Sequence, residues 1–268
     1  MPRKSLKNVM NLLDNVNGNI APEVGFLNDL KRSIELTADK NSRLPSKTYK
    51  PSSMNCIRNM YYQNIGADQD ENKSSYVMEG IVRSGSDIHE YVQKNVELMK
   101  DNGMDCEYVD VAEFVKSRNL VDIEIVSKQG METKLYHKTL NMSFLCDGII
   151  RYHGTYYILE LKTETHYKWS TRKGVDPKHY NQATAYSIAF GINNVLFVYI
   201  SRDILDMKSF MLNVTEDMRK ALLNKILVCN DYLLKKEVPP MPEEAGAKFC
   251  QYCSYKSRCK LDGGKDGN

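Results

Sequence analysis

The amino-acid sequence predicts an α/β or α+β core with one central mixed β-sheet flanked by helices. Three observations carry this. A helical stripe of Ile88, Val92, Val96 and Met99 comes first. A run of short apolar strands follows, folded at a His-Gly tight turn (residues 153–154). Helix, strand and helix then alternate from residue 177 to about 236. Tight turns join antiparallel strands and helical crossovers join parallel ones, so both senses are expected in one sheet.

The elements follow in order. Residues 1–50 read as a helical extension: a short stripe (Val9, Leu12, Leu13, Val16), then a helix opened by Pro22 with Phe26, Leu30 and Ile34 in step. A polar linker with Pro45 leads to a helical signal in NCIRNMYYQNIG. The long helix of EGIVRSGSDIHEYVQKNVELMK stops at DNG, and LVDIEIVS alternates as a strand. From LYHKTL to LELKTE the chain reads as a strand meander, with SFLCDGII as one strand before the His-Gly turn. PKHYNQATAYSIAFG is a helix ending at Gly191, and NNVLFVYIS is a buried strand. Thr215 is the expected N-cap of a helix with Glu216 and Asp217 in its first turn. Residues 261–268 are expected to be a disordered tail.

With 268 residues, 42% hydrophobic and 26% charged, the chain is expected to form one domain with additions, or two small domains. The formal net charge of +3 neither demands nor excludes a nucleic-acid partner, so charge distribution matters more. No apolar run reaches membrane-span length, and MPRKSLKNVMNLL has neither an h-region nor a small-residue cleavage site. A cytoplasmic location is the expectation. Seven cysteines, an odd number without an export signal, point to metal binding or buried thiols rather than a disulfide framework.

The chemistry begins in YYILELKTE. Alternation puts Ile158, Glu160 and Lys162 on one strand face. Two readings are open: Glu160 and Lys162 face water, or they are held for chemistry. Asp147 lies in the preceding strand, and the His-Gly turn brings the two alongside. Neighbouring carboxylates repel unless a cation neutralises them, and hard oxygen ligands suit Mg²⁺ or Mn²⁺. A lysine beside such an ion helps orient a bound water, so Asp147, Glu160 and Lys162 are a minimal set for phosphodiester hydrolysis.

Three further stretches bear on the choice. GSDIH sets Gly85 and His89 four residues apart on a helix, where the glycine permits close approach and His89 is either a metal ligand or a satisfied, partly buried histidine. QATAY sets Gln182 and Tyr186 on one helix face, as a phosphate- or water-holding pair or a surface pair. KTETHYKWSTRKGVDPKHY carries Lys168, Arg172, Lys173, Lys178 and the only tryptophan, Trp169. It is a candidate surface for DNA backbone and base stacking, or a solvated loop.

In the order G-x-x-x-H, D, E-x-K, Q-x-x-x-Y, these residues resemble the PD-(D/E)XK superfamily, in particular its RecB-like nucleases, over about residues 52–260. The resemblance implies a restriction-endonuclease-like core and a metal-dependent DNA nuclease, expected to be an exonuclease on ends or single strands in recombination, repair, phage or CRISPR DNA processing. It implies Asp147, Glu160 and His89 as metal ligands, Lys162 as the catalytic lysine, and Gln182 and Tyr186 as the accessory motif. The first acidic motif reads LCDG, without the family's proline. The alternatives from other classes are a catalytically silent DNA-binding subunit of a recombination complex and a zinc-stapled interaction module.

FCQYCSYKSRCK spaces Cys250, Cys253 and Cys259 as C-x2-C-x5-C, amid basic residues that favour thiolates. A fourth ligand is needed, and Cys56 in SMNCIRNMYY is the candidate. In the RecB-like branch and in similar CRISPR-associated exonucleases, one upstream cysteine joins three downstream ones around a [4Fe-4S] cluster, which the resemblance implies here. Four cysteines suit Zn²⁺ equally, and spacing alone does not separate the two. Cys106, Cys146 and Cys229 read as ordinary thiols.

Overall fold

The computed structural model describes residues 21–40, 47–70, 75–129, 132–241, 250 and 253–263. The expected helix near Val9 and most of the expected tail lie outside the described residues. The chain divides into two compact units, Met1–Arg43 with Asn72–Arg83, and Leu44–Glu71 with Ser84–Asn268. Among the described residues no helix is long and apolar enough to cross a membrane.

In the first unit, α1 (Pro22–Lys40) starts with proline, whose missing N–H costs nothing in the first turn, and Glu23 faces the positive end of the helix. The Glu35 carboxylate accepts from the Tyr76 amide at 3.2 Å, and the Lys31 ammonium lies 4.9 Å from the Tyr76 ring centre.

The second unit holds α2 (Ile57–Ile65), closed by Gly66 in the left-handed region at φ 67°, where the amide of Ala67 returns to the Tyr62 carbonyl. Helix α3 (Tyr76–Glu97) starts in the first unit and continues into the second. The strands are β1 (Cys106–Val109), β2 (Ile123–Gln129), β3 (Glu132–His137), β4 (Met142–Cys146), β5 (Gly148–Tyr152), β6 (Thr155–Glu164), β7 (Asn194–Ser201) and β8 (Met207–Asn213). Between them come α4 (Val111–Ser117), α5 (His166–Ser170) and α6 (Tyr180–Phe190); α7 (Glu216–Lys235) and α8 (Lys256–Leu261) follow.

Five strands form the central sheet in the order β1-β5-β6-β7-β8. Strand β6 pairs antiparallel with β5 and parallel with β7, so the sheet is mixed, as expected. The β5–β6 turn has His153 at φ 47° and Gly154 at φ 75°, the two positive angles of a two-residue hairpin that follows strand twist. The parallel β6–β7 pair needs a crossover, and α6 lies within it. Thr215 Oγ1 accepts from the Met218 amide at 3.3 Å and caps α7.

Helices cover both faces of the sheet. On one, Ile150, Leu159, Leu161 and Ile200 pack with Ile88, Val92 and Val96 of α3. On the other, Ile149, Ile158, Val195 and Phe197 join the core that holds Ala183, Ala189 and Phe190 of α6 and Leu222 and Ile226 of α7. The opposite allegiances of Ile158 and Leu159 are the period-two alternation of a strand buried on both sides.

One expectation is corrected. SFLCDGII is two strands in different sheets: β4 belongs to an antiparallel sheet ordered β2-β3-β4, and β5 to the central one. The break is at Asp147, whose carbonyl accepts from Gln93 Nε2 at 2.6 Å and whose carboxylate accepts from the Leu161 amide at 2.7 Å. These bonds draw the residue out of continuous ladder pairing. The sequence reading also passed over β1, α4 and β8; β8 alternates half-buried and exposed residues without a strong apolar signal.

Candidate active site

The site lies where the chain leaves one sheet for the other. Thr133 pairs with Cys146, and Gly148 pairs with Leu159. One step further along each ladder, Asp147 stands between Glu132 on β3 and Glu160 on β6. Beyond Leu159, β6 continues without β5 beside it, which opens a fork, and the Leu161 amide there bonds the Asp147 carboxylate.

Asp147 is fixed from several directions. Gln93, itself 2% exposed, and His89 both come from α3, one helical turn apart. His89 Nδ1 is 3.5 Å from Asp147 Oδ1. A Cβ on Gly148 would meet Tyr108 at 2.7 Å, so only glycine follows Asp147 without moving that ring. A Cβ on Gly85 would lie 3.3 Å from Thr163 Oγ1, which is the close approach of α3 to β6 that the G-x-x-x-H spacing anticipates.

Glu160 is 3% exposed. Its Oε1 accepts from Lys162 Nζ at 2.5 Å and Gln182 Nε2 at 2.7 Å. Gln182 Oε1 accepts from Lys162 at 3.2 Å, and Gln182 Nε2 also reaches the Tyr186 hydroxyl at 3.0 Å. That hydroxyl donates to the Leu145 carbonyl at 2.7 Å. Glu160, Lys162, Gln182 and Tyr186 therefore form one network. Glu160 Oε2, however, is buried with no hydrogen-bond partner.

The electrostatics match this crowding. Burial, with the Asp147 charge adding to it, pushes the Glu160 carboxyl up to about 7 against the pull of Lys162 and His89. Burial also raises the Asp147 carboxyl, but His89, Lys162 and the Leu161 amide outweigh it and hold the group below its ordinary value. Burial lowers Lys162, yet Glu160 and Asp147 keep the ammonium above its usual range and charged. His89 is raised because its contact with Asp147 exceeds the effect of burial.

Among the described residues, one set of donor atoms lies within 4.8 Å of one another: His89, Glu132 and Asp147. Of the expected trio of His89, Asp147 and Glu160, the first two fall in that set and Glu160 does not. Glu132, Gln93 and Tyr108 were missed. Gln93 follows His89 at i+4, a usable signal; Glu132 becomes visible only once Asp147 is seen to end β4.

The basic segment divides. Trp169 is 7% exposed, and its Nε1 donates to the Tyr199 carbonyl at 3.1 Å. Lys208 and His166 lie against its ring, so the expectation that Trp169 stacks on bases is corrected. The side chain of Arg172 is 7% exposed. It makes a forked pair with Glu164 at 2.6 and 2.7 Å and covers the Tyr199 ring, so it is a buried structural cation rather than a DNA contact. Lys173 and Lys178 are exposed and Lys168 is half-buried; Lys168 and Lys178 gather on Asp176 at 3.4 and 3.8 Å.

The four expected cluster cysteines line one cavity of about 250 Å³ with Arg58 and Asn59. Arg58 Nη1 is 3.3 Å from Cys259 Sγ, and Asn59 Nδ2 is 3.6 Å from Cys253 Sγ. Burial raises the Cys250 and Cys253 thiols above their ordinary value, so the expectation that basic neighbours favour their thiolates is corrected. Arg58 also bonds the carbonyls of Pro239 and Asp262, joining α2 to the C-terminal segment. No three of these sulfurs lie within 4.8 Å of one another. A tetrahedral zinc at ordinary Zn–S length holds sulfurs about 3.8 Å apart.

No family model and no curated protein matches the chain. Among solved structures it is similar to SSO0001, at 15% identity and TM-score 0.44 over 88% of this chain and 97% of that one. It is also similar to LHK-Exo in complex with dAMP, at 10% identity and TM-score 0.44 over 72% and 90%. The alkaline exonuclease LHK-Exo from Laribacter hongkongensis matches at 11% identity and TM-score 0.37 over the same shares, 72% and 90%. Overlaps this loose assign no residue and no substrate.

The Arg172–Glu164 pair gives a direct check on the buried-cation assignment. Arg172→Met leaves the buried Glu164 with only Lys168, at 3.5 Å, beside it and is expected to lower unfolding stability by on the order of 3 kcal/mol in a urea titration. Arg172→Met with Glu164→Met recovers much of that loss. Wild-type stability in the single variant contradicts a structural role.

Proposed function

We propose that this chain is a divalent-metal-dependent deoxyribonuclease of the PD-(D/E)XK type, acting on DNA ends or single strands. The observation that carries the reading is the buried Glu160, with one oxygen bound by Lys162 and Gln182 and the other unpartnered, beside the Asp147–His89 pair. A buried carboxylate oxygen without a donor is costly, and a cation is the group that satisfies it. The helix, hairpin, crossover helix and parallel strand follow the order that the motif resemblance implies.

The oxygen-rich donor set with one imidazole fits Mg²⁺ or Mn²⁺. Asp147, Glu160 and His89 would hold the ion. When bound, it neutralises the carboxylates, acidifies a water and stabilises charge on a phosphate oxygen. Lys162, kept charged and held by Glu160 and Gln182, orients the attacking water and faces the anionic phosphate. Gln182 and Tyr186 fix the lysine and the glutamate in position. The exposed Lys173 and Lys178, with the half-buried Lys168, supply positive charge for the DNA backbone.

The same reading gives Cys56, Cys250, Cys253 and Cys259 a [4Fe-4S] cluster. One cavity lined by all four cysteines, with the Arg58 donor to Cys259, supports a shared centre there. Its role is to hold α2 and the C-terminal segment together around a long loop.

Labelled single- and double-stranded DNA, incubated with Mn²⁺ or with chelator, tests the nuclease. Wild type is expected to cut only with the metal. Glu160→Ala and Lys162→Ala are expected to lose at least a hundredfold in rate while remaining folded by circular dichroism. Undiminished cutting by either variant defeats the assignment, and DNA binding without cutting by wild type favours the silent-subunit alternative. Anaerobically purified protein is expected to be brown with broad visible absorption, and Cys253→Ala colourless and poorly soluble. Colourless wild type carrying stoichiometric zinc favours the zinc alternative.

A further inference from the structure

We propose that Glu132 is a ligand of the divalent ion, so that the β2–β3 hairpin contributes a donor to the site from outside the central sheet. The choice of ion rests on the nuclease reading above; the donor geometry does not. Asp147 ends β4 and precedes β5, so the two ladders place an acid on each side of it, Glu132 and Glu160. The donor atoms of Glu132 and Asp147 gather with that of His89 from α3, while Glu160 stands on the other side of Asp147.

Distances favour an ion there. The donor atoms of His89, Glu132 and Asp147 lie within 4.8 Å of one another. At the roughly 2.1 Å bond lengths of Mg²⁺, opposed ligands stand about 4.2 Å apart and adjacent ones about 3.0 Å, so the three donors share one ion once their side chains close inward by up to about 2 Å. The unpartnered oxygen of Glu160, a residue 3% exposed, is an independent sign that a positive group belongs beside this cluster. Lys162 does not fill that need, because its ammonium is already on the other Glu160 oxygen and on Gln182. One imidazole among the carboxylates favours Mn²⁺ over Mg²⁺.

Glu132 also occupies an instructive place in the chain. It is the first residue of β3, paired with Gln129 at the end of the β2–β3 hairpin. A glutamate serving only solubility has no reason to approach a histidine and an aspartate that α3 and β6 hold in place.

The test is Mn²⁺ binding to the full chain by calorimetry, with the metal alone as probe. Glu132→Gln is expected to bind at least tenfold more weakly than wild type, while Glu124→Gln, an exposed acid on neighbouring β2, binds as wild type does. As a second readout, Mn²⁺ raises the wild-type melting temperature, and it raises that of Glu132→Gln less, each against its own metal-free value. Wild-type affinity in Glu132→Gln overturns the proposal, and so does absence of Mn²⁺ binding in wild type. If Glu132→Gln weakens binding but wild type cuts no DNA, the nuclease reading fails and the ligand assignment stands.

Discussion

The structure depends on how Asp147 is held between two sheets. A strand that continued unbroken through this position would leave β4 and β5 in one ladder and put the aspartate on a regular face. Instead, Gln93 takes its carbonyl and the Leu161 amide takes its carboxylate. The chain then changes sheets within one residue, opens a fork beside β6, and sets three acids abreast. Each of these consequences is geometric and follows from the two ladder registers.

Burial then turns geometry into chemistry. Glu160 is crowded by apolar surroundings and by the Asp147 charge, and its carboxyl is accordingly raised. Lys162 and Gln182 satisfy one of its oxygens only. The protein thereby holds a charged lysine beside a carboxyl group with one unpartnered oxygen. The same logic operates at the other end of the chain, where Arg58 ties α2 to the C-terminal segment while pointing a positive donor at Cys259.

Much of this was legible in the sequence, for identifiable reasons. Strong periodicity marked the helix that carries His89. The His-Gly pair marked the β5–β6 hairpin, Gly191 the end of α6, and Thr215 the start of α7. The E-x-K and Q-x-x-x-Y spacings identified a network that the fold does assemble. What escaped notice depended on register. An eight-residue apolar run containing one aspartate looks like one strand, because nothing local reports that its two halves pair with different partners. Glu132 was hidden for the same reason. Trp169 and Arg172 misled in the opposite way: a basic, aromatic segment suggested a nucleic-acid surface, but pairing with Glu164 and the Tyr199 carbonyl turns both side chains inward.

The central claim is that the residues flanking Asp147 gather around one divalent ion. Anomalous diffraction from crystals soaked in Mn²⁺ addresses it most directly. The account predicts a single strong peak within bonding distance of the Asp147 carboxylate and His89, with Glu132 and Glu160 on either side. A peak elsewhere on the molecule, or none at this position at saturating Mn²⁺, would contradict it.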